Sequence, residues 1–330
     1  MQALREWVRR IPPVAALLAE RDRLRRENRE LQRANRNLRA RKPAAGPAVH
    51  PGAEVLQVVP PGHFYSPIPD LTDVRARAAQ IFDRNRADLP GIEVHAADQL
   101  ALLEPFAALY AEQPFAARPH DGLRYGFAND YFAHGDGLAL YSMLRHLRPG
   151  NVVEVGSGWS SALMLDVNER FLNGALHLTF IEPYPDRLNA LLRPEDRARA
   201  TVLDKPLHAV ADSVFGDLGT GDLLFIDSTH VSRIGSDVNR LLLEVVPALP
   251  AGVHVHIHDI FWPFEYPEDW VYRGHAWNEA YLLRALLIGQ PQLRITWFNH
   301  YLQCRHSDAV AAAMPMWANN PGGSIWLRTT

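Results

Sequence analysis

What the chain lacks narrows the field first. One cysteine, Cys304, stands among 330 residues, so neither an intrachain disulfide nor a cysteine-built metal cluster can form. No run of about eighteen uncharged apolar residues occurs, so no segment reads as a transmembrane helix. Strong net charge is missing too. Against 37 acidic side chains stand 34 basic ones, a balance of −3, and nothing global calls for nucleic acid. Ile11–Ala19 follows a basic N-terminus as a signal peptide would. Pro12 and Pro13 interrupt it and a charged helical pattern follows at once, so export is disfavoured and a cytoplasmic location is expected. Apolar residues make up 47% of the chain, enough for one large domain with an appendage or for two small ones.

The charge that exists is unevenly spread. Residues 1–42 hold thirteen Arg or Lys and five Asp or Glu, a net of +8, so the remainder carries −11. Leu17, Leu24, Leu31 and Leu38 recur every seven residues. With these at d, the a positions are Val14, Arg21, Asn28 and Asn35, and Asn at a favours a parallel pair because the two amides meet only in that register. Glu20 at g can reach Arg25 at e of a partner. A homodimer through residues 14–40 is the reading preferred over a solitary Arg-rich helix. No separate basic region precedes the leucine seam, which disfavours a DNA-binding zipper.

Residues 43–70 are a proline-rich spacer: Lys42 to Pro69 holds seven prolines and three glycines. Residues 71–121 show helical spacing, as in Val74, Ala78, Ile81 and Phe82, and read as a small helical cap region without a usable motif. Residues 122–330 hold the informative part. A helix over Asp136–Leu147 is ended by Pro149-Gly150. Short apolar runs then follow at Val152–Val155, Leu178–Ile181, Thr201–Leu203, Leu223–Ile226, Val253–Ile257, Leu293–Phe298 and Ser324–Leu327. Helical segments separate most of them, which predicts an α/β fold with a mostly parallel sheet covered on both faces. Ligands of such sheets bind beyond the carboxyl ends of the strands.

Four motifs fall at such ends. Gly156-Ser157-Gly158 follows the first strand and opens a helix running to about Phe171. Glycine admits positive φ and close approach of a ligand, and a helix start offers free N–H groups. The turn alone leaves S-adenosylmethionine (SAM), a nicotinamide dinucleotide and no ligand open, although Ser161 stands where the dinucleotide fingerprint wants its third glycine. Ile181-Glu182-Pro183 ends the next strand, where an acid can accept hydrogen bonds from both ribose hydroxyls. Asp222–His230 is an apolar strand delivering Asp227, with His230 three residues on. In His254-Val255-His256-Ile257-His258-Asp259 the three histidines share a strand face and Asp259 takes the other. A bend at the strand end would bring His258 and Asp259 toward one cleft. Asp227, Asp259 and His258 would then offer mixed oxygen and nitrogen ligands to a divalent cation. His254 and His256 read as structural. Phe261–Pro267 and Trp270 form an aromatic loop whose roles as acceptor platform and as hydrophobic plug stand level.

The ordered set EVGSGWSS, IEP, DLLFIDSTH and HIHD resembles the class I SAM-dependent methyltransferases. Within them it is similar to a branch containing the macrocin and mycinamicin sugar O-methyltransferases, over roughly Tyr125 to Thr330. The resemblance implies a Rossmann-like sheet of seven strands. It implies SAM as cofactor, with Glu154, Gly156, Ser157, Gly158 and Glu182 around it: Glu182 on the ribose, and Gly156 and Gly158 beneath the methionine part. Asp136 lies where related proteins have a loop covering the cofactor. It further implies Mg2+ or Mn2+ on Asp227 and Asp259, and His230 as base. His258 stands where that branch has a carboxylate.

The expected activity is therefore methyl transfer to a hydroxyl of a small-molecule or glycan acceptor, assisted by a divalent cation. Methyl transfer in line needs alignment, and a sugar hydroxyl needs a base or a metal to deprotonate it. A coiled-coil scaffold with an inactive methyltransferase-like domain and a nicotinamide oxidoreductase are the competing readings.

Overall fold

The computed structural model describes residues 58–330, so the leucine heptads and most of the proline-rich spacer lie outside the described residues. Seven strands form one sheet: β1 (Asn151–Val155), β2 (His177–Ile181), β3 (Ala200–Leu203), β4 (Leu223–Ile226), β5 (His254–His258), β6 (Leu293–Phe298) and β7 (Ser324–Thr329). Their order is β3-β2-β1-β4-β5-β7-β6. Neighbours from β3 to β5 pair in parallel, and β7 runs antiparallel between β5 and β6. The sheet and its seven strands agree with the sequence expectation.

Burial explains the order. Every residue of β4, Leu-Leu-Phe-Ile, is buried, and β1 and β5 are buried but for their first residues. Strands covered on both faces need such unbroken apolar runs. Residues of β3 are at least partly exposed, as an edge strand allows. The chain builds outward from β1 through β2 to β3, then returns to place β4 on the other side of β1. That reversal opens a crevice between the carboxyl ends of β1 and β4, where ligands of open α/β sheets bind.

The four longest helices among the described residues are α1 (His134–Leu147), α2 (Trp159–Phe171), α3 (Glu279–Gly289) and α4 (Asn299–Ala313). Helix α1 is buried from Gly135 to Leu144, against α2. It starts two residues before the expected Asp136. Among the described residues no helix is long and apolar enough to cross a membrane.

The segment 71–121 does not stand apart as a cap. Its short helices, Leu71–Ala76, Ala78–Ile81, Ala96–Ala101 and Leu103–Tyr110, belong to one compact body with the sheet. Leu89, Leu103, Phe106 and Phe115 share the core of the sheet strands. So few apolar side chains cannot close a core of their own, and burying each large one beside the sheet is worth about 1.5–3 kcal/mol.

Candidate functional site

The glycine turn is shaped by a close approach of two strand ends. Gly156 has φ of +83°, and a Cβ there would collide with the carbonyl oxygen of Asp227 at the end of β4. Only glycine lets β1 leave the sheet this close to β4. Glu154, one pleat earlier, points inward and is fully buried. Its carboxylate accepts hydrogen bonds from the Ser160 and Ser161 hydroxyls at the start of α2. Burial pushes its pKa up to about 8. Ser161 also accepts from the Gly158 N–H at 2.9 Å. The serine in place of the dinucleotide glycine thus ties the turn to the strand beneath it.

Glu182 lies half-buried at the crevice. Its oxygens accept from the Ser157 N–H at 3.0 Å and the Tyr184 N–H at 2.8 Å, which leaves lone pairs on both for a ligand. A cavity of about 870 Å3 is lined by Gly156, Glu182, Asp227 and the 233–240 segment. The Ser157 hydroxyl is buried without a partner. A turn with an unpaired hydroxyl, an acid with spare lone pairs and a cavity of this size fit an adenosyl cofactor. Arg187 packs beside Gly158, with its guanidinium 3.9 Å from the Tyr131 ring centre. Asp136 is buried away from this cavity. One oxygen accepts from Asn299 Nδ2 at 2.8 Å and the other from the Gly323 N–H at 3.3 Å, fastening α1 to the loop before β7.

Beyond β4 and β5, four acidic or imidazole groups surround His230. Its backbone is left-handed, with φ of 59°, and its carbonyl accepts from the Asn278 and Glu279 N–H groups at 3.1 and 3.2 Å. Nδ1 lies 2.9 Å from Glu279 Oε2. Nε2 lies 3.4 Å from Asp227 Oδ1 and 3.6 Å from Asp259 Oδ2. The Trp277 ring covers the imidazole at 4.3 Å. Asp259, also left-handed at φ of 56°, provides the expected bend after β5, and its Oδ1 is 3.6 Å from His258 Nε2.

The charges settle as a balanced set. Burial opposes protonation of His230, but the carboxylates of Asp227, Glu279 and Asp259 outweigh it and raise the imidazole well above its ordinary value. Burial likewise opposes a charge on His258, yet Asp259, Asp227 and Asp136 carry it to about 9. Burial raises Asp259 to about 6. It works against Asp227 too, but His258 and His230 hold that carboxyl below its ordinary value.

Among the described residues this arrangement gives the metal expectation no support. Asp227, Asp259 and His258 are brought together, but Nε2 of His230 lies near both carboxylates. His258 is 4% exposed, with Nδ1 unpartnered. Among the described residues no group of three or more His, Cys, Asp or Glu side chains stands at metal-holding spacing. Magnesium and manganese favour oxygen ligands, and here two imidazoles lie among the carboxylates. The residues as placed do not fit either ion.

Two site residues carry no sequence signal. Glu279 lies 49 positions from His230, and Trp277, two residues before it, belongs to none of the four motifs. The aromatic loop divides. Phe261, Trp262, Phe264 and Tyr266 are buried plugs, while Trp270 is only partly buried. His256 packs structurally, stacked 3.9 Å from Phe225, with neither ring nitrogen hydrogen-bonded.

Residues 153–260 match the family model described as a methyltransferase domain. An uncharacterised protein of Archaeoglobus fulgidus is 36% identical over 171 residues, half of this chain and 76% of that one. A Podospora anserina methyltransferase solved with S-adenosylhomocysteine (SAH) is 13% identical, at TM-score 0.39 over 84% of this chain and all of that one. A mitomycin 7-O-methyltransferase is 18% identical, at TM-score 0.36 over 58% of this chain and 53% of that one. At such identities these two solved structures say nothing of the reaction. The chain belongs to one family with the archaeal protein, and its residues 153–260 match a methyltransferase domain.

Proposed function

We propose that the chain transfers a methyl group from SAM to a hydroxyl oxygen of a small-molecule or glycan acceptor, with His230 as the base. The observation that carries this is the anchoring of His230. Glu279 holds Nδ1 at 2.9 Å, which turns Nε2 toward the strand-end edge beside the cofactor-sized cavity. Glu182 would bind the ribose, and the Gly156–Gly158 turn the methionine part. SAM supplies a methyl on a positively charged sulfur, open to in-line displacement. The acceptor hydroxyl donates its one hydrogen bond to His230 Nε2, and Asp227, a third exposed, lies 3.4 Å from that nitrogen and adds its negative charge beside it. His230 Nε2 takes the proton, and Glu279 stabilises the imidazolium so formed. No step uses a divalent cation.

Calorimetry with SAM and SAH tests the cofactor half. Glu182→Ala should weaken binding by about 1–3 kcal/mol through lost charge-assisted hydrogen bonds. Unchanged affinity in a folded variant removes Glu182 from the site. A screen of acceptors with methyl-labelled SAM tests the transfer. His230→Ala should lower turnover by roughly 10²–10⁴-fold, and a chelator should leave the rate intact. Loss of activity in chelator, restored by magnesium, would overturn the metal-free reading.

A further inference from the structure

On the outer side of the Trp277 wall lies a second cavity, of about 570 Å3. It lies beside the base. Trp277, which lines it, covers the His230 ring, and Asn278, which also lines it, donates its N–H to the His230 carbonyl. Arg233 borders both this cavity and the cofactor-sized one, so the two meet at its side chain. The size suits a small acceptor.

The wall has a definite charge. Arg233, Arg273 and His275 line it, and no carboxylate does. The hydrogen bond that ties Arg233 locally comes from its backbone N–H, to Ser236 Oγ at 3.2 Å. Its guanidinium makes no ion pair among the described residues and is exposed. Arg273 pairs with Asp269 on its own helical turn, but both are more than half exposed, and such a pair is worth little in water. Both guanidiniums are therefore available. Ile68 and Trp277 supply an apolar face to the same cavity.

We propose that the methyl acceptor is anionic: a phosphate or carboxylate on its body is held by Arg233 and Arg273 while its hydroxyl reaches past Trp277 to His230. Planar guanidiniums suit such groups because they offer paired N–H donors to two oxygens. The inference rests on the methyl-transfer reading and adds the substrate class. A neutral sugar would offer neither guanidinium an anionic partner.

The test is calorimetry on the full chain loaded with SAH, titrated separately with glucose 6-phosphate, glucuronate and glucose to millimolar concentration. Failure of SAH to bind in the loading step overturns the cofactor reading itself, before any acceptor is added. With SAH bound, at least one of the two anions should bind and glucose should not. Arg273→Gln, which leaves the cofactor-sized cavity untouched, should weaken the anion by about ten- to hundredfold, the range for a lost hydrogen bond to a charged group. Arg233→Gln with Arg273→Gln should abolish it. Binding of glucose as tight as that of the anions, no binding of either anion, or undiminished anion binding in the double variant would each overturn the proposal.

Discussion

Three carboxylates converge on one buried imidazole at His230, and the consequence is a shifted titration. A base must be neutral to accept a proton. Asp227, Glu279 and Asp259 favour the protonated form, so kcat/KM should rise with pH along a limb centred above pH 6.5, the ordinary histidine value. Glu279→Gln removes one of these charges and should move that limb to lower pH by about one unit, equivalent to about 1.4 kcal/mol. It should also lower kcat, because the imidazolium loses its partner. An unmoved limb would mean that a different group titrates. The same shift has a stability counterpart. A raised native value contributes stability fully below pH 6.5, and that contribution fades as pH rises through the native value.

Among the elements, the segment after β5 depends on a side chain far away in sequence. The half-buried Arg84 donates to the carbonyls of Trp262, Glu265 and Tyr266, the latter two at 2.7 and 2.9 Å. It thereby fixes the loop that leads to Trp277 and α3. Without it the loop would keep its buried aromatics, the Trp262 N–H bond to His300 Nδ1 and the Ala280 N–H bond to the Tyr266 hydroxyl. Arg84→Met should cost about 1.5–3 kcal/mol, the range for hydrogen bonds to a charged donor. For a domain of this size that lowers Tm by roughly 3–10 °C. Limited proteolysis should then cut first within residues 262–267. An unchanged Tm would show that aromatic packing suffices. The elements themselves were largely readable in advance. Leu223–Ile226 and Leu293–Phe298 coincide with β4 and β6, because an apolar run bounded by polar or turn residues has little freedom to lie elsewhere. That residues 71–121 pack into one compact body with the sheet was not legible, because short amphipathic helices do not say which surface will receive their apolar side.

For the whole molecule, the open question with a direct measurement is its assembly. The leucine heptads with Asn28 and Asn35 at a predict a parallel homodimer through residues 14–40. Light scattering of the full chain at tens of micromolar should give twice the chain mass. The double variant Leu24→Lys, Leu31→Lys should give the single-chain mass. A monomeric wild type would overturn the zipper, and a dimer surviving in the variant would place the contact in the described body.

Sequence alone determined the sheet, the glycine turn and the acids at strand ends, because each is a local pattern: apolar runs, a glycine at a tight turn, a carboxylate where a strand stops. It placed Gly156, Glu182, Asp227, His230 and Asp259 at one edge for the same reason. Which way each side chain faces, and what stands between them, was decided by the tertiary structure. Glu154 turned inward because two serines of α2 lay beneath it. His230 found Glu279 because the start of α3 lies beside the turn after β4, a juxtaposition that a separation of 49 positions conceals. Spacing along the chain put two aspartates and two histidines at one edge, but only the packed site showed His230 Nε2 within 3.6 Å of both aspartates.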